Sequence, residues 1–299
     1  MELKVLKNFL TIAREENISK AAEILHTTQP TLSRQIKSLE EELGQKLFIR
    51  HSFHIELTDA GMLLRKQAAD LIAMANKIQD SFSALSDISG GDIYLGLAES
   101  YQVGFLADFI TQFKVRYPNL RYHITSGDTE QVTDTLEKGI LDFAAIVEEP
   151  DFNKYNAVRF PEADRWVAIV SKDNELSNKD FLTAKDLKGY NLFCSEQSWK
   201  NDIEPWAGNY FQDLHLEGSF RLSYNGSVFA KRNLGVLLTF DKLVDTSQSS
   251  DLKRIPLQPP LLTPMYFIWK KGQVFSPIAE RFLREFQIFL PQESSYFPE

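Results

Sequence analysis

Cysteine is nearly absent from this 299-residue chain: Cys194 stands alone, so no internal disulfide or thiol pair can form. The five histidines (His26, His51, His54, His123, His215) have no cysteine partners, so no metal and no cofactor is expected, and His51-x-x-His54 reads as surface. Long apolar runs are missing too. None exceeds five residues, far below the ~20 that cross a bilayer, and MELKVLKNFL lacks the basic start and apolar stretch of a secretory signal. A soluble, cytoplasmic protein without a membrane partner is expected. No Gly-x-Ser-x-Gly elbow, phosphate-binding loop, His-Glu-x-x-His or dinucleotide fingerprint occurs, so an enzyme is not the expected reading.

An excess of positive charge is also lacking. The net charge is -8, with 11 cations against 12 anions in residues 1–88 and 22 against 29 in residues 89–299. A nonspecific nucleic-acid coat is disfavoured, because phosphate neutralisation dominates such binding. A local DNA-reading element is not excluded, since a recognition helix needs only a few placed cations. What is present is ordinary globular composition, 43% apolar and 25% charged, enough for two or three compact units.

The first 57 residues read as closely packed short helices. Leu3, Val5, Leu6, Phe9, Leu10 and Ile12 outline one amphipathic helix, and Ile18 to Leu25 a second, after the cap types Asn17 and Ser19. Thr27 and Thr28 break the pattern. A third helix runs from Gln29 to Leu43, with Thr28 as N-cap, Pro30 in its first turn and Gly44 as its stop. Leu32, Ile36, Leu39 and Leu43 form its apolar face; Pro30, Ser33, Arg34 and Lys37 lie on the other side. Glu40-Glu41-Glu42 reads as a solvated helix end. KLFIRHSFHIEL (46–57) suggests two short strands around a polar turn.

Two helices joined by a tight turn and followed by a strand pair are the layout of a winged helix-turn-helix. Gln29 and Arg34 are then the expected base readers in the major groove, with Pro30 and Thr31 beside them; Ser33, Lys37, Arg50 and His51 would hold phosphates and set register. His51 and His54 would add positive charge on protonation.

A long helix follows from Thr58 or Asp59 to about Asp87. Leu64, Ala68, Leu71, Ala75, Ile78, Phe82 and Leu85 recur at alternating steps of four and three, a stripe too long to bury on so small a unit. Leu64, Leu71, Ile78, Phe82 and Leu85 are therefore the expected contacts to the same helix of a second subunit. Ser89-Gly90-Gly91 reads as a hinge. Beyond it strands and helices alternate as in a parallel α/β sheet: IYLGLA, a helix near 102–116, YHITS, a helix near 129–138, FAAIV, WVAIV, YNLFCS, RLSYN (221–225), VLLTF, MYFIWK and a closing helix from Pro277 to Leu290.

The string NISKAAEILHTTQPTLSRQIKSLEEELGQKLFIR (17–50), followed by LTDAG (57–61), resembles the LysR-type transcriptional regulators. Ala21-Ala22, Leu25, Gln29-Pro30, Ser33, Ile36, Leu39-Glu40, Leu43-Gly44, Leu47-Phe48, Arg50 and Leu57-Thr58 stand where that family's pattern places them. Beyond residue 90 the resemblance rests on FKVRYPNL (113–120), Gly139 to Asp142, and NLGV (233–236). Asn233 departs from the usual glycine, Asn174-Glu175-Leu176 replaces a common His-Pro-Leu, and the wing has few cations besides Arg50.

The resemblance implies an N-terminal all-α winged helix-turn-helix (1–58), a dimerising linker helix (59–88), and a C-terminal α/β sensor of two periplasmic-binding-protein-like subdomains (89–299). Subdomain I would span about 91–162 and 266–291, subdomain II about 163–265. The function implied is a sequence-specific regulator that binds double-stranded DNA as a homodimer, or a tetramer, with RNA polymerase a further partner. A small-molecule effector would sit between the subdomains at the carboxyl ends of strands, and Ser100, Tyr101, Ser126, Thr129, Ser195 and Asn225 are the expected hydrogen-bonding groups. Glu99 and Asp128 at that mouth oppose an anion and suit an amine or a neutral polar ligand. Two alternatives stay open: a sensor used only for assembly, and a cytoplasmic solute-binding protein or enzyme with a vestigial helix-turn-helix.

Overall fold

The computed structural model of the chain describes residues 1–51, 54–83 and 90–291. Contacts group it into two units, Met1–Ser83 and Ala84–Glu299. In the first unit, α1 (Leu3–Glu15) buries Leu6, Phe9 and Ile12, α2 (Ile18–Ile24) buries Ala21 and Ala22, and α3 (Gln29–Leu43) buries Leu32, Ile36 and Leu39. The small alanines of α2 let the neighbouring helices approach closely. Asn17 caps α2, its side chain accepting from Lys20 N at 3.0 Å. Thr28 occupies the N-cap position of α3, but its hydroxyl pairs with that of Thr31 at 2.9 Å. Gly44 ends the helix at φ 66°, a left-handed conformation that suits a residue without Cβ.

The wing is the antiparallel pair β1 (Phe48–Arg50) and β2 (Ile55–Leu57), tied to the first helix by Ile55 N–H donating to Glu16 O at 3.0 Å. Two expectations for this unit fail. Leu43 is 40% exposed, outside the apolar face assigned to it. Glu40 is buried rather than solvated: its carboxylate accepts from Leu47 N at 2.9 Å, Phe48 N at 3.4 Å and Lys46 Nζ at 3.0 Å, so it anchors the strand leading into the wing. Burial opposes its ionisation, but the Leu47 amide, the Lys46 ammonium and the Phe48 amide outweigh that, holding the carboxyl below its ordinary value.

A depressed folded value means stability that is present above the unfolded value and lost as pH falls through the folded one. Glu40→Gln should therefore flatten the acid limb of the first unit's stability. Glu40→Ala, which orphans two buried amides, should cost about 1–3 kcal/mol at neutral pH. Hydrogen-exchange protection of the Leu47 and Phe48 amides between pH 3 and 7 checks both.

The helix α4 (Asp59–Ser83) is 25 residues long, about 37 Å at the helical rise. Its expected stripe divides. Leu64 and Ala68 are buried in the core of their own unit, which removes Leu64 from the set expected to meet a second subunit. Leu71, Ile78 and Phe82 are 46%, 52% and 70% exposed. Leu85 lies outside the described residues.

The second unit is built on one long sheet whose strands lie in the order Asn119–Ser126, Gly90–Leu97, Phe143–Ile146, Leu262–Lys270, Tyr155–Ser171, Val236–Phe240, Asn191–Cys194 and His215–Ser219, with Leu252–Pro256 also on Tyr155–Ser171. In chain order, β3 (Gly90–Leu97), α5 (Val103–Arg116), β4 (Asn119–Ser126), α6 (Thr129–Glu137) and β5 (Phe143–Ile146) form the first lobe. Then β6 (Tyr155–Ser171) runs 17 residues into the second lobe, which adds β7 (Asn191–Cys194), α7 (Glu196–Ser198), a π-helical turn (Trp199–Ile203) and α8 (Glu204–Ala207). It is completed by β8 (His215–Ser219), α9 (Ser223–Lys231), β9 (Val236–Phe240) and β10 (Leu252–Pro256). The strand β11 (Leu262–Lys270) returns to the first lobe, and α10 (Pro277–Phe289) closes it.

The two crossing strands pair antiparallel along most of their length, with a register shift between Pro264 and Tyr266. Phenylalanine fills the first lobe: Phe109 and Phe113 of α5 meet Phe282 and Phe286 of α10 over Phe143, Phe160 and Phe267 of the sheet. On the opposite face Val132 and Leu136 of α6 cover Ala144, Ile146 and Ile268.

The second unit differs from the sequence expectation at three points. The sheet is mixed, because β11 runs antiparallel to both β5 and β6, as do β9 and β10 to β6. RLSYN is not a strand: the strand is His215–Ser219, and α9 begins at Ser223. Gly90 and Gly91 are the first residues of β3 rather than a hinge, and a Cβ on Gly90 would lie 2.4 Å from the Asn119 carbonyl carbon, so glycine permits the close approach of β4.

Asn233 and Asn174, the two departures from the family pattern, explain each other. Asn233 adopts φ 55°, the left-handed region that asparagine tolerates best after glycine, and its Oδ1 accepts from Asn174 Nδ2 at 2.8 Å. Asn233→Ala should cost about 1–2 kcal/mol through the unfavourable backbone and the lost bond, whereas Asn233→Gly should stay near neutral. Urea unfolding followed by tryptophan fluorescence distinguishes the two, since all four tryptophans (166, 199, 206, 269) belong to this unit.

Candidate functional site

The first candidate surface is the outer face of α3. Gln29, Pro30, Thr31, Arg34 and Lys37 are exposed, and Arg34 and Arg50 carry no ion pair among the described residues. Lys37 Nζ lies 3.6 Å from Glu41 one turn on, a solvated pair that a phosphate can displace at little cost. Amphipathicity explains the division: Leu32, Ile36 and Leu39 hold the helix to the core and leave the cationic side outward. Ser33 departs from expectation. Its hydroxyl is buried and unpartnered, so the side chain is turned into the unit instead of outward, and a phosphate contact requires another rotamer. His51, on the wing, is exposed and stacks on His54 with centroids 4.5 Å apart; Glu56 lies against both rings.

The second candidate site is a cavity of about 800 Å³ between the lobes of the C-terminal unit. Val147, Trp166, Leu238, Phe240 and Leu243 form an apolar floor beside the hydroxyls of Ser223 and Thr239, which bond to each other at 2.6 Å. The rim is polar and acidic. Among the described residues, Glu99, Asp128, Glu130, Glu148 and Glu196 line it with two cations, Lys200 and Arg221, and Arg221 is already 3.2 Å from Asp128.

Among the described residues, four residue pairs join the lobes across this rim. Thr129 N–H donates to Gln197 Oε1 at 3.3 Å and Gln197 Nε2 donates to Thr129 Oγ1 at 3.1 Å; Arg221 meets Asp128; Asn201 donates to Glu148. In the fourth, Ser223 N–H donates to Glu99 Oε2 at 2.6 Å. Leu222, the residue before α9, offers no side-chain oxygen for a cap, so a carboxylate 124 positions away supplies one. Glu99 thus occupies the anion position that the exposed amides and dipole of this helix create.

Of the six residues expected to hold an effector, Thr129 and Ser195 line the cavity. Ser195 also caps α7, accepting from Ser198 N at 3.2 Å. The other four do not line it. Ser100 is buried, and its hydroxyl donates to Asp164 on the crossing strand β6; Tyr101 N–H reaches the same carboxylate at 3.2 Å, and burial pushes that carboxyl up. The Tyr101 ring lies under Lys242 Nζ, 4.1 Å from the centroid. Ser126 ends the exposed edge strand β4. Asn225 sits on α9 and lines a separate, smaller depression with Phe193 and Phe229. The misreading of RLSYN as a strand put Asn225 at a strand end, and one turn of helix carries it away from the cavity. Ser223, Thr239 and Gln197 were missed; two lie on elements whose cavity-facing side is decided only by the other lobe. Cys194 is fully buried, and burial pushes its thiol up, which suits a packing role.

A winged helix-turn-helix followed by a two-lobed α/β unit with a cavity between its lobes defines a ligand-responsive DNA-binding regulator. The family described as bacterial regulatory helix-turn-helix protein, lysR family, matches residues 3–62, and the LysR substrate binding domain matches residues 87–289. The chain belongs to the LysR family of transcriptional regulators. Among its relatives, the transcriptional regulator YtlI of Bacillus subtilis is 27% identical over 270 residues, covering 88% of this chain and 85% of that protein. BsdA of the same organism is 28% identical over 220 residues, 73% and 74% of the two chains. The solved LysR regulator CbnR has the same fold, with a TM-score of 0.76 at 18% identity over 98% of this chain and all of that one. Its full-length complex with target DNA gives 0.73 at 18% identity, over 97% and 100% of the chains.

Proposed function

We propose that Gln29 and Arg34 read base edges of an operator, with Pro30 and Thr31 beside them and Lys37, Arg50 and His51 on phosphates. The single observation that carries this is the outward face of α3, where Arg34 is exposed and without a carboxylate partner among the described residues. Ser33 joins the set only after turning outward. Leu71, Ile78 and Phe82 supply the homodimer contact, since an apolar stripe along a helix of this length is covered best by a second copy. Pairing into tetramers and contact with RNA polymerase extend the same reading, as does a non-enzymatic role in the cytoplasm.

The C-terminal cavity takes a cationic or neutral polar effector in preference to a carboxylate. Five carboxylates face two cations there, and Glu99 already fills the anion position of α9, so a further anion meets repulsion and a displaced internal partner. The effector acts by preferring one arrangement of the lobes, since equal affinity for both would shift nothing. Calorimetric titration of the full chain with amines, neutral polyols and simple dicarboxylates is expected to give heats only with the first two classes. Tight binding of a dicarboxylate overturns the effector assignment. Footprinting at its own promoter tests the operator reading separately.

A further inference from the structure

We infer that the wing holds a divalent transition-metal ion between His51, His54 and Glu56. Spacing alone pairs only the two histidines; the third ligand comes from strand register. Ile49 faces Glu56 and Arg50 faces Ile55, and His51 N–H donates to His54 O at 2.9 Å, so the two histidines stand opposite each other one step beyond the ladder. Side chains alternate along strands, which puts His54, Glu56 and, across the ladder, His51 on one face. Ile55, only 7% exposed, fixes the other face as the one turned to the core. The trio therefore projects outward as a direct consequence of the fold.

The donor atoms are already gathered. His54 Nε2 lies 2.8 Å from Glu56 Oε1 and His51 Nε2 lies 3.5 Å from Glu56 Oε2; one ligand atom from each residue falls within 4.8 Å of the others. Bonds of about 2.0–2.2 Å around a tetrahedral ion put neighbouring ligand atoms roughly 3.3 Å apart, between the two histidine–glutamate distances already present. The imidazole rings are within 13° of parallel, and as exposed side chains they can splay to converge on one ion without disturbing the core. Two imidazoles and one carboxylate suit zinc, nickel, cobalt or copper(II) rather than magnesium or calcium, which prefer oxygen. Three protein ligands leave a position for water, the arrangement of an open site. With both imidazoles neutral, the ion changes this face from one negative to one positive charge.

The site does not depend on the wing touching DNA, so its test stands apart from the operator reading. Tag-free full chain is titrated calorimetrically with Zn²⁺ and with Ni²⁺, and with Co²⁺ while its visible absorption is followed. The expected result is one ion per chain, a cobalt band showing nitrogen ligation, loss of both in His51→Gln/His54→Gln, and weakening by about tenfold or more in Glu56→Gln. All three side chains are exposed, so these variants should keep the wild-type circular dichroism. No binding by wild type, or a stoichiometric site that survives the double histidine variant, overturns the inference.

Discussion

Arg34→Ala is expected to weaken binding to a preferred duplex by about tenfold to a hundredfold, the equivalent of roughly 1–3 kcal/mol, while leaving the fold untouched. A guanidinium in a recognition helix makes paired bonds to a guanine edge that alanine cannot replace, so the loss should fall on the preferred sequence and spare affinity for random DNA. Lys37→Ala gives the contrasting signature, a uniform loss on all sequences and a salt slope reduced by about one. Anisotropy titrations of both variants at several salt concentrations, against a duplex selected from a random pool and a scrambled control, separate the roles. An unchanged ratio of specific to nonspecific affinity in Arg34→Ala removes Arg34 from base reading.

Gly61→Ala should be the most damaging single methyl group in the N-terminal unit. Gly61 lies in the first turn of α4, where an added Cβ would sit 2.1 Å from the Leu47 carbonyl oxygen and 2.9 Å from Leu57 Cδ2. The obstacle is main chain, so it cannot rotate away. The same carbonyl accepts Thr58 N–H at 3.0 Å, and the Thr58 hydroxyl, which donates to Lys46 O at 2.6 Å, accepts Gly61 N–H at 3.0 Å. Relieving the clash therefore breaks the joint between wing and linker helix. Overpacking costs about 1–3 kcal/mol, and a rigid obstacle places this case near 3, roughly 10–20 °C in the melting of a unit this size. Gly104→Ala in α5, where a Cβ meets nothing within 4 Å, should be neutral or slightly stabilising. Hydrogen exchange across residues 3–83 reads the first effect and tryptophan fluorescence the second; unchanged protection in Gly61→Ala refutes the close-approach argument.

The two halves of the chain differ in how openly the sequence displays them. In the first, the apolar steps from Leu32 to Leu39 and the stop at Gly44 mark a helix by local rules, and the face they bury leaves Arg34 outward. Even there, Glu40 deceived: three consecutive glutamates look solvated, and only the return of residues 46–48 over the helix brings two amides to one of them. The stripe on α4 was legible as a period, but not as two jobs, because whether Leu64 meets its own core or another chain depends on where α1 ends up.

In the second half, strand patterns such as FAAIV and WVAIV reported burial without direction, so a parallel sheet was read where β11 runs against both its neighbours. The cavity was harder still. Thr129 and Ser195 stand where a strand gives way to a helix N-terminus, Thr129 just after the cap Asp128 and Ser195 as the cap itself, and that junction is readable locally. Ser100 was misjudged because its partner, Asp164, lies on the crossing strand, and Asn225 because Ser223 begins a helix.

Local chemistry along the chain was enough to determine the helices of the first unit and the outward basic side of α3, since each depends on neighbours within a few residues; the family was legible only through the resemblance of residues 17–50 and 57–61 to a known pattern. Only the tertiary structure decided the long-range pairings: Glu40 under Leu47, Glu99 capping a helix 124 residues away, and Glu56 joining two histidines across a hairpin. The physical reason is the range of the interactions: periodicity and capping act over one or two turns, whereas a carboxylate's partner is set by whichever distant segment the packed core brings within 3 Å.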